Sequence, residues 1–387
     1  METVFSTVSH TTYRSLYLNV FRNHLLEYSL HPVGNYVVQH FMRNLEDSVL
    51  KEQVVGELVN TIEDILAVGH FGVVDALTAV TIGLSEIYQK KVVNSLLKAF
   101  HLQESSKFKY TVPCVLRLLT FEMYSSEDGS TETTTYFGAS ILMNAFKLQQ
   151  NAVEPLIQSL LTMEPDEILA LCKDPHGSFV MEAFLTSRID LPRKKKIYKR
   201  VKNQLARLAM DKYGSRVLEA IWASADIAFK EFIADSLLGE EQQISSNMYG
   251  KIVMKKCNID FYKRKKTAWL EKQEANQKKQ ELFKDILEET PDSSDSKLVQ
   301  NKRKRAETPL ADEIDKLFTS KRKTRNSAVS QRSTSQNPKI KEEDLALREE
   351  LSSVDPFALD MKLTIKNIKK KNKKLKREKP SKKFIMS

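Results

Sequence analysis

The sequence predicts an all-α fold, a helical solenoid, on three observations. The segment Asp174-Pro175-His176-Gly177-Ser178-Phe179-Val180-Met181-Glu182-Ala183-Phe184 is followed by Asp211-Lys212-Tyr213-Gly214-Ser215-Arg216-Val217-Leu218-Glu219-Ala220-Ile221-Trp222, a second copy of one pattern. Counted from each Gly, both copies have Ser at +1, an aromatic or Arg at +2, apolar residues at +3, +4, +7 and +8, and Glu at +5. Further copies centre on Gly34, Gly72, Gly138 and Gly250, giving intervals of 38, 66, 39, 37 and 36 residues. A period in that range marks stacked helical repeats. At about 100° per residue, +3, +4, +7 and +8 share one helix face while +1, +2 and +5 lie on its flank. Each helix therefore has an apolar stripe to bury and a separate side free to bind.

Taken in order, residues 1–20 read as an irregular start, and 21–265 as the repeat array. The Gly34 copy, His31 to Gln39, is clear. In the Gly72 copy Val73, Val74 and Leu77 offer no polar group, which predicts a packing role. The long interval places an insertion near 105–135, with a helix over Val112–Phe121 and then an acidic loop, Ser125 to Ser130. The Gly138 copy offers only the Ser140 hydroxyl beside Ala139 and Met143. Each marker Gly is expected to serve a tight helix-to-helix turn whose backbone angles a Cβ would penalise. A charged helix over 266–290 is expected to cap the array, and 291–387 turns to a composition that predicts a disordered basic tail.

These residues resemble the pumilio (PUF) repeat family, and the resemblance covers residues 20–265. It implies a right-handed solenoid of three-helix repeats forming a curved array, with one helix of each repeat lining a concave RNA-binding surface. It also implies that the +1 and +5 residues meet a base edge and that the +2 residue stacks between bases. The base-edge set is then Asn35 and Gln39, Ser178 and Glu182, Ser215 and Glu219; the stackers are Tyr36, Phe179 and Arg216. The weak middle repeats, the basic tail and the stretch from Met248 to Lys263 are most similar to the nucleolar pumilio-like members that act in small-ribosomal-subunit assembly. Family members carry further repeats before this point, so the start reads as that of a truncated or alternative product.

The chemistry agrees with the resemblance. An ionised Glu only accepts hydrogen bonds, and the Watson–Crick edge of guanine offers two adjacent donors, so Ser with Glu suits guanine. Asn35 with Gln39 offers the mixed groups that suit uracil. Flat groups at +2 can stack on bases, each worth roughly 1–3 kcal/mol. With RNA antiparallel to the chain, as in the family, the Gly214 and Gly177 repeats would read neighbouring guanines, with a uracil nearer the RNA 3′ end at the Gly34 repeat. Phosphate contacts are expected from Lys251, Lys255 and the run Arg193, Lys194, Lys195 and Lys196, the last on the third helix of its repeat. A second mixture of Lys255, Lys256 and Lys263 to Lys266 with Phe261, Tyr262 and Trp269 suits a nucleic-acid surface.

The formal charge is +11, but it is uneven. Residues 291–387 hold 26 Lys and Arg against 14 Asp and Glu, which leaves 35 against 36 in residues 1–290. RNA binding by the array must therefore come from local patches and stacking. Within the tail, Lys302-Arg303-Lys304-Arg305 and Lys321-Arg322-Lys323 resemble a bipartite nuclear import signal, and 369–377 adds a further basic cluster. Cys114, Cys172 and Cys257 are few and far apart, which argues for a reducing compartment, and Cys172 and Cys257 sit in helical apolar patterns that predict buried thiols. No metal spacing, cofactor motif, phosphate loop or membrane span is visible. Glu182 and Glu219 occupy equivalent places in successive repeats, so repetition explains them better than an acid pair does, and no enzyme is predicted. The expected function is sequence-preferring binding of single-stranded RNA by a nucleolar monomer. The resemblance implies pre-ribosomal RNA held near a cleavage site, with pre-40S assembly factors, including the small-subunit endonuclease, as partners. The alternatives are a messenger RNA 3′ UTR regulator and a protein-binding helical scaffold.

Overall fold

The structure, a computed structural model, describes residues 10–126 and 133–288, and every regular element among them is helical. A helix α1 (His10–Leu16) and a π-helical turn (Tyr17–Phe21) precede the first repeat, α2 (Leu25–Leu30), α3 (Gly34–Arg43) and α4 (Ser48–Leu58). The Gly72 repeat is α5 (Ile62–Ala67), α6 (Phe71–Val80) and α7 (Glu86–Ala99). The Gly138 repeat is α8 (Thr111–Arg117), a short extra helix α9 (Phe121–Tyr124), α10 (Tyr136–Ala145) and α11 (Glu154–Thr162). Then come α12 (Pro165–Lys173), α13 (Gly177–Thr186) and α14 (Leu191–Val201), followed by α15 (Leu205–Ala209), α16 (Gly214–Ser224) and α17 (Ile227–Gly239). The last repeat is α18 (Glu241–Ser246), α19 (Met248–Lys256) and α20 (Ile259–Arg264), and α21 (Lys266–Glu288) ends the described chain. Each Gly-bearing helix packs on that of the next repeat, and the first helices lie between this row and the row of third helices. The fold is thus a solenoid of three-helix repeats.

Burial follows the sequence stripe. Val180, Met181, Phe184 and Leu185 are fully buried, as are Val217, Leu218 and Ile221, and together with their equivalents they form one continuous core. Residues 10–21 depart from the expected irregular start. Tyr13, Tyr17 and Phe21 recur every fourth position on one helical face and set their rings 5.1, 6.2 and 4.6 Å from Phe41. The Tyr13 hydroxyl also donates to the Phe41 carbonyl at 2.7 Å. At the other end the wholly buried Trp269 anchors α21: its indole N–H donates to the Cys257 carbonyl at 3.2 Å, and its ring meets Tyr262 and Trp222 edge-on.

The role of the marker Gly is corrected by the geometry. Among these marker glycines none has positive φ; among the described glycines only Gly69 and Gly83 do. At five of the six, what a Cβ would meet is the first helix, and at Gly72 it is the Gln39 side chain of the preceding Gly-bearing helix. At Gly177 it would lie 2.7 Å from the Leu171 carbonyl oxygen and at Gly34 2.8 Å from that of Tyr28, and at Gly250 it would press on Ile244. All three carbonyls sit six residues before their Gly. At Gly138 the colliding carbonyls are instead Val115 and Leu116, and Thr135 N donates to Leu116 O at 2.9 Å. The helix α8 is therefore the first helix of the Gly138 repeat, and extra chain has been spliced into the turn that follows it. That helix stops at Arg117 rather than Phe121, because Leu118 takes a left-handed conformation with φ 58°.

A second regularity closes five of the six turns from position −3, the exception being the Gly72 copy, whose −3 residue is Gly69. The Oδ1 atoms of Asp174 and Asp211 accept from Gly177 N at 2.6 Å and Gly214 N at 2.8 Å. Asn247, His31 and Thr135 cap Gly250, Gly34 and Gly138 in the same way. These caps satisfy backbone donors that a helix start leaves unpaired.

Candidate nucleic-acid interface

The row of Gly-bearing helices presents +1, +2 and +5 of successive repeats, and the side chains there differ in how far they are committed. In the two strong copies the +1 hydroxyls are nearly buried. Ser215 Oγ donates to the Lys212 carbonyl at 3.2 Å and Ser178 Oγ makes a longer contact, 3.4 Å, with Pro175 O. With the hydroxyl hydrogen so directed, the remaining lone pairs of each oxygen can only accept. Glu182 is half-buried on the same helix, and among the described residues no hydrogen bond engages its carboxylate. Glu219, the equivalent residue, forms an ion pair with Lys256 Nζ of the next repeat. Arg216 is exposed, Phe179 half-buried, and Tyr36 stands out with 61% of its surface accessible.

The Gly34 repeat departs from the expectation of an open amide edge. Asn35 is 3% exposed; its amide donates to the His31 and Pro32 carbonyls at 3.0 and 2.9 Å, and its oxygen accepts from Gln39 Nε2 at 3.0 Å. Gln39, 8% exposed, lies against Gly72 of the next helix. The two amides satisfy each other and the helix start, so Tyr36 is what this repeat offers a ligand.

The phosphate-binding role expected of Arg193 to Lys196 is also corrected. Their helix, α14, belongs to the third-helix row, with first helices between it and the Gly-bearing row. Lys194 is 7% exposed, donates to the Ser187 carbonyl at 2.6 Å, and burial pulls its ammonium pKa down. Arg193 pairs with Glu154 at 2.7 Å and Lys195 with Asp226 at 2.6 Å. Burial alone would raise the Asp226 pKa, but hydrogen bonds from Lys195 and Phe229 N outweigh it and hold the carboxyl low. Of the four, only Lys196 is exposed and outside any ion pair among the described residues. Four cations in a row suggest a phosphate surface, but the main carboxylate partners of two of them, Glu154 and Asp226, are remote in sequence and invisible there. By contrast Lys251 and Lys255 are exposed on α19, within the Gly-bearing row, flanking the exposed Ile252.

The same row holds a cluster that the sequence reading missed. Asp75 is 6% exposed on α6, and its Oδ1 accepts from Ser140 Oγ at 2.6 Å and Asn144 Nδ2 at 3.0 Å, both on α10. Its Oδ2 takes Arg43 of α3 at 3.0 Å. One carboxylate thus ties three successive Gly-bearing helices. The available signal was a lone Asp at the +3 stripe position, where every strong copy has an apolar residue.

A family model described as the NOP9-like PUF repeat domain matches residues 1–252. The chain belongs to that family. Among curated relatives of this PUF array, Nucleolar protein 9 of Homo sapiens is 27% identical over 308 residues, covering 75% of this chain and 48% of the relative. Pumilio homolog 23 of Arabidopsis thaliana is 27% identical over 284 residues, covering 72% and 37%. A solved structure, that of APUM23-GGAAUUGACGG, is 25% identical, with a TM-score of 0.62, over 71% of this chain and 52% of that one. The chain thus spans about half, or less, of the length of the curated relatives it matches. The described PUF array holds no group of three His, Cys, Asp or Glu residues that could bind a metal, and no helix long and apolar enough to cross a membrane. Cys114, Cys172 and Cys257 are free and buried, and burial pushes each thiol up to about 12. The import motifs 302–305 and 321–323, the basic tail and most of the acidic loop lie outside the described residues.

Proposed function

We propose that this chain is a nucleolar RNA-binding protein that holds single-stranded pre-ribosomal RNA along its row of Gly-bearing helices. The observation that carries the reading is the pair of adjacent repeats in which Ser178 with Glu182, and Ser215 with Glu219, present acceptors on one row, with Phe179 and Arg216 as flat neighbours. Acceptor pairs one repeat apart suit two neighbouring guanines, since each guanine edge has donors at N1 and N2. The RNA named with the solved relative APUM23, GGAAUUGACGG, begins with two neighbouring guanines. If the strand runs antiparallel to the chain, its 5′ guanines meet the later repeats, where both Ser/Glu pairs lie. Lys251 and Lys255 then sit beyond them as phosphate contacts, and Tyr36 stacks nearer the 3′ end.

The role assigned is occupancy: RNA held near a cleavage site is withheld from the small-subunit endonuclease until a later assembly step. The support for this is the family membership and the relatives' name, Nucleolar protein 9. The residues themselves point to binding rather than catalysis. The test is crosslinking and sequencing from cells, comparing wild type with an E182Q, E219Q double variant. Enrichment on pre-ribosomal spacer RNA at paired guanines, lost or redistributed in the variant, is the expected result. Enrichment on messenger RNA 3′ UTRs would replace the ribosomal role, and an absence of specific crosslinks from either protein would overturn the RNA reading in favour of a protein scaffold.

A further inference from the structure

The two guanine-type repeats are not equivalent, although their sequences nearly are. Glu219 lies at +5 of its helix, and Lys256, at +6 of the next Gly-bearing helix and 37 residues on, sets its ammonium against Glu219 Oε2. The Glu219 side chain is 22% exposed and that of Lys256 is 62% exposed, so the pair sits at the surface of the row with its cation outermost. One repeat earlier, no cation among the described residues pairs with Glu182. The residue equivalent to Lys256 there is Ala220, which is buried and carries no polar group.

We propose that Lys256 is a specificity-determining residue that completes recognition of guanine by the Gly214 repeat, donating to guanine O6 while Glu219 and Ser215 accept from N1–H and N2–H. This rests on the base-reading role proposed above. Along its Watson–Crick edge guanine presents two donors and then the O6 acceptor. A carboxylate alone matches the donors and leaves O6 to water. A carboxylate has about four lone-pair sites on two oxygens, so Glu219 can keep Lys256 while accepting from the base. An ammonium already held on one carboxylate oxygen then stands next to the place where O6 arrives. Its charge also offsets the repulsion between Glu219 and the phosphates that flank the base. Adenine, with an amine in place of O6, would point a donor at the ammonium, so the lysine adds rejection as well as affinity. The Gly177 repeat lacks this third contact and serves as an internal control.

The alternative for the same pair is a lock, in which Lys256 must leave before Glu219 can bind, and it predicts the opposite sign. The experiment uses the full chain and the RNA GGAAUUGACGG, with each of the first two guanines replaced singly by inosine, which lacks the N2 amine, or by 6-thioguanine, whose sulfur is a weak acceptor. The variants E182Q and E219Q first assign each guanine to its repeat through the inosine penalty that each one removes. At the Glu219 guanine, 6-thioguanine should weaken wild-type binding by about fivefold to tenfold, and at the Glu182 guanine by less than about twofold. K256M should weaken binding of the unmodified RNA by a similar factor and abolish the 6-thioguanine penalty, while K256R restores both. Unchanged or tighter binding by K256M, or a 6-thioguanine penalty that survives it, would overturn the inference and leave the Glu219 reading in place. If E219Q removes no inosine penalty at either guanine, base reading by the Gly214 repeat fails and the inference falls with it.

Discussion

Asp75 shows how much a single side chain can hold in this array. A carboxylate removed from water is costly unless hydrogen bonds replace its hydration, and here Ser140, Asn144 and Arg43 supply them. Replacing Asp75 by Ala deletes three charge-assisted bonds at once and leaves donors on α3 and α10 without a partner. The Arg43 side chain is 43% exposed and can be rehydrated, which limits the loss. D75A should therefore cost about 2 kcal/mol, read as a lower urea midpoint at an unchanged slope. D75N, which keeps an acceptor, should fall between it and wild type. The sequence showed this position only as an exception to a stripe. A stripe says which residues are buried, whereas pairing across 65 and 69 positions depends on how two helices from separated repeats come to rest side by side. The same limit explains Asn35 with Gln39 and Lys195 with Asp226: residue type showed that each could bind, and only packing showed that its partner was already present.

At the scale of the element, the period of the Gly copies was sufficient to locate all six second helices, since a Gly is needed at one place per repeat. The reason for it was not legible, because a turn conformation and a close approach both call for Gly. The geometry separates them, and substitution can do the same. Gly138→Ala would drive a Cβ into the backbone carbonyls of Val115 and Leu116, which cannot rotate away, and should destabilise the fold by about 1–3 kcal/mol. Gly56 is exposed inside α4 with nothing near its would-be Cβ. There Ala only narrows the unfolded ensemble and favours helix, so Gly56→Ala should stabilise by roughly 0.5–1 kcal/mol. Thermal unfolding of the two variants beside wild type is the check, and shifts of the same sign would remove the close-approach account. The insertion follows from the same argument. The interval of 66 residues between Gly72 and Gly138 placed it near 105–135, but did not show that it follows the first helix of the repeat. Length reveals extra chain, while the carbonyls facing Gly138 show which helix came before it.

For the whole molecule the question is where RNA affinity comes from. In the array several cations already have carboxylate partners: Arg193 with Glu154, Lys195 with Asp226, Lys256 with Glu219, Lys263 with Glu241 and Lys266 with Glu231. A cation already paired with a carboxylate neutralises a phosphate less fully and so releases fewer of the counterions condensed on the RNA, and the acidic partner opposes an approaching phosphate. The array, at 35 basic against 36 acidic residues over 1–290, should therefore bind through stacking and base edges more than through charge. The segment 291–387, with 26 against 14, has the composition for the opposite mode. Each phosphate neutralised on a single strand adds about −0.7 to the slope of log affinity against log salt. Changing the Lys and Arg residues of 302–305, 321–323 and 369–377 to Gln in the full chain should make that slope markedly shallower, while the preference for guanine over inosine at paired guanines persists. E182Q with E219Q should do the reverse, erasing the preference and leaving the slope nearly intact. Binding titrations across a salt series with matched guanine and inosine RNAs separate the two. A guanine preference that vanished with the tail charges would mean that the array alone does not read bases.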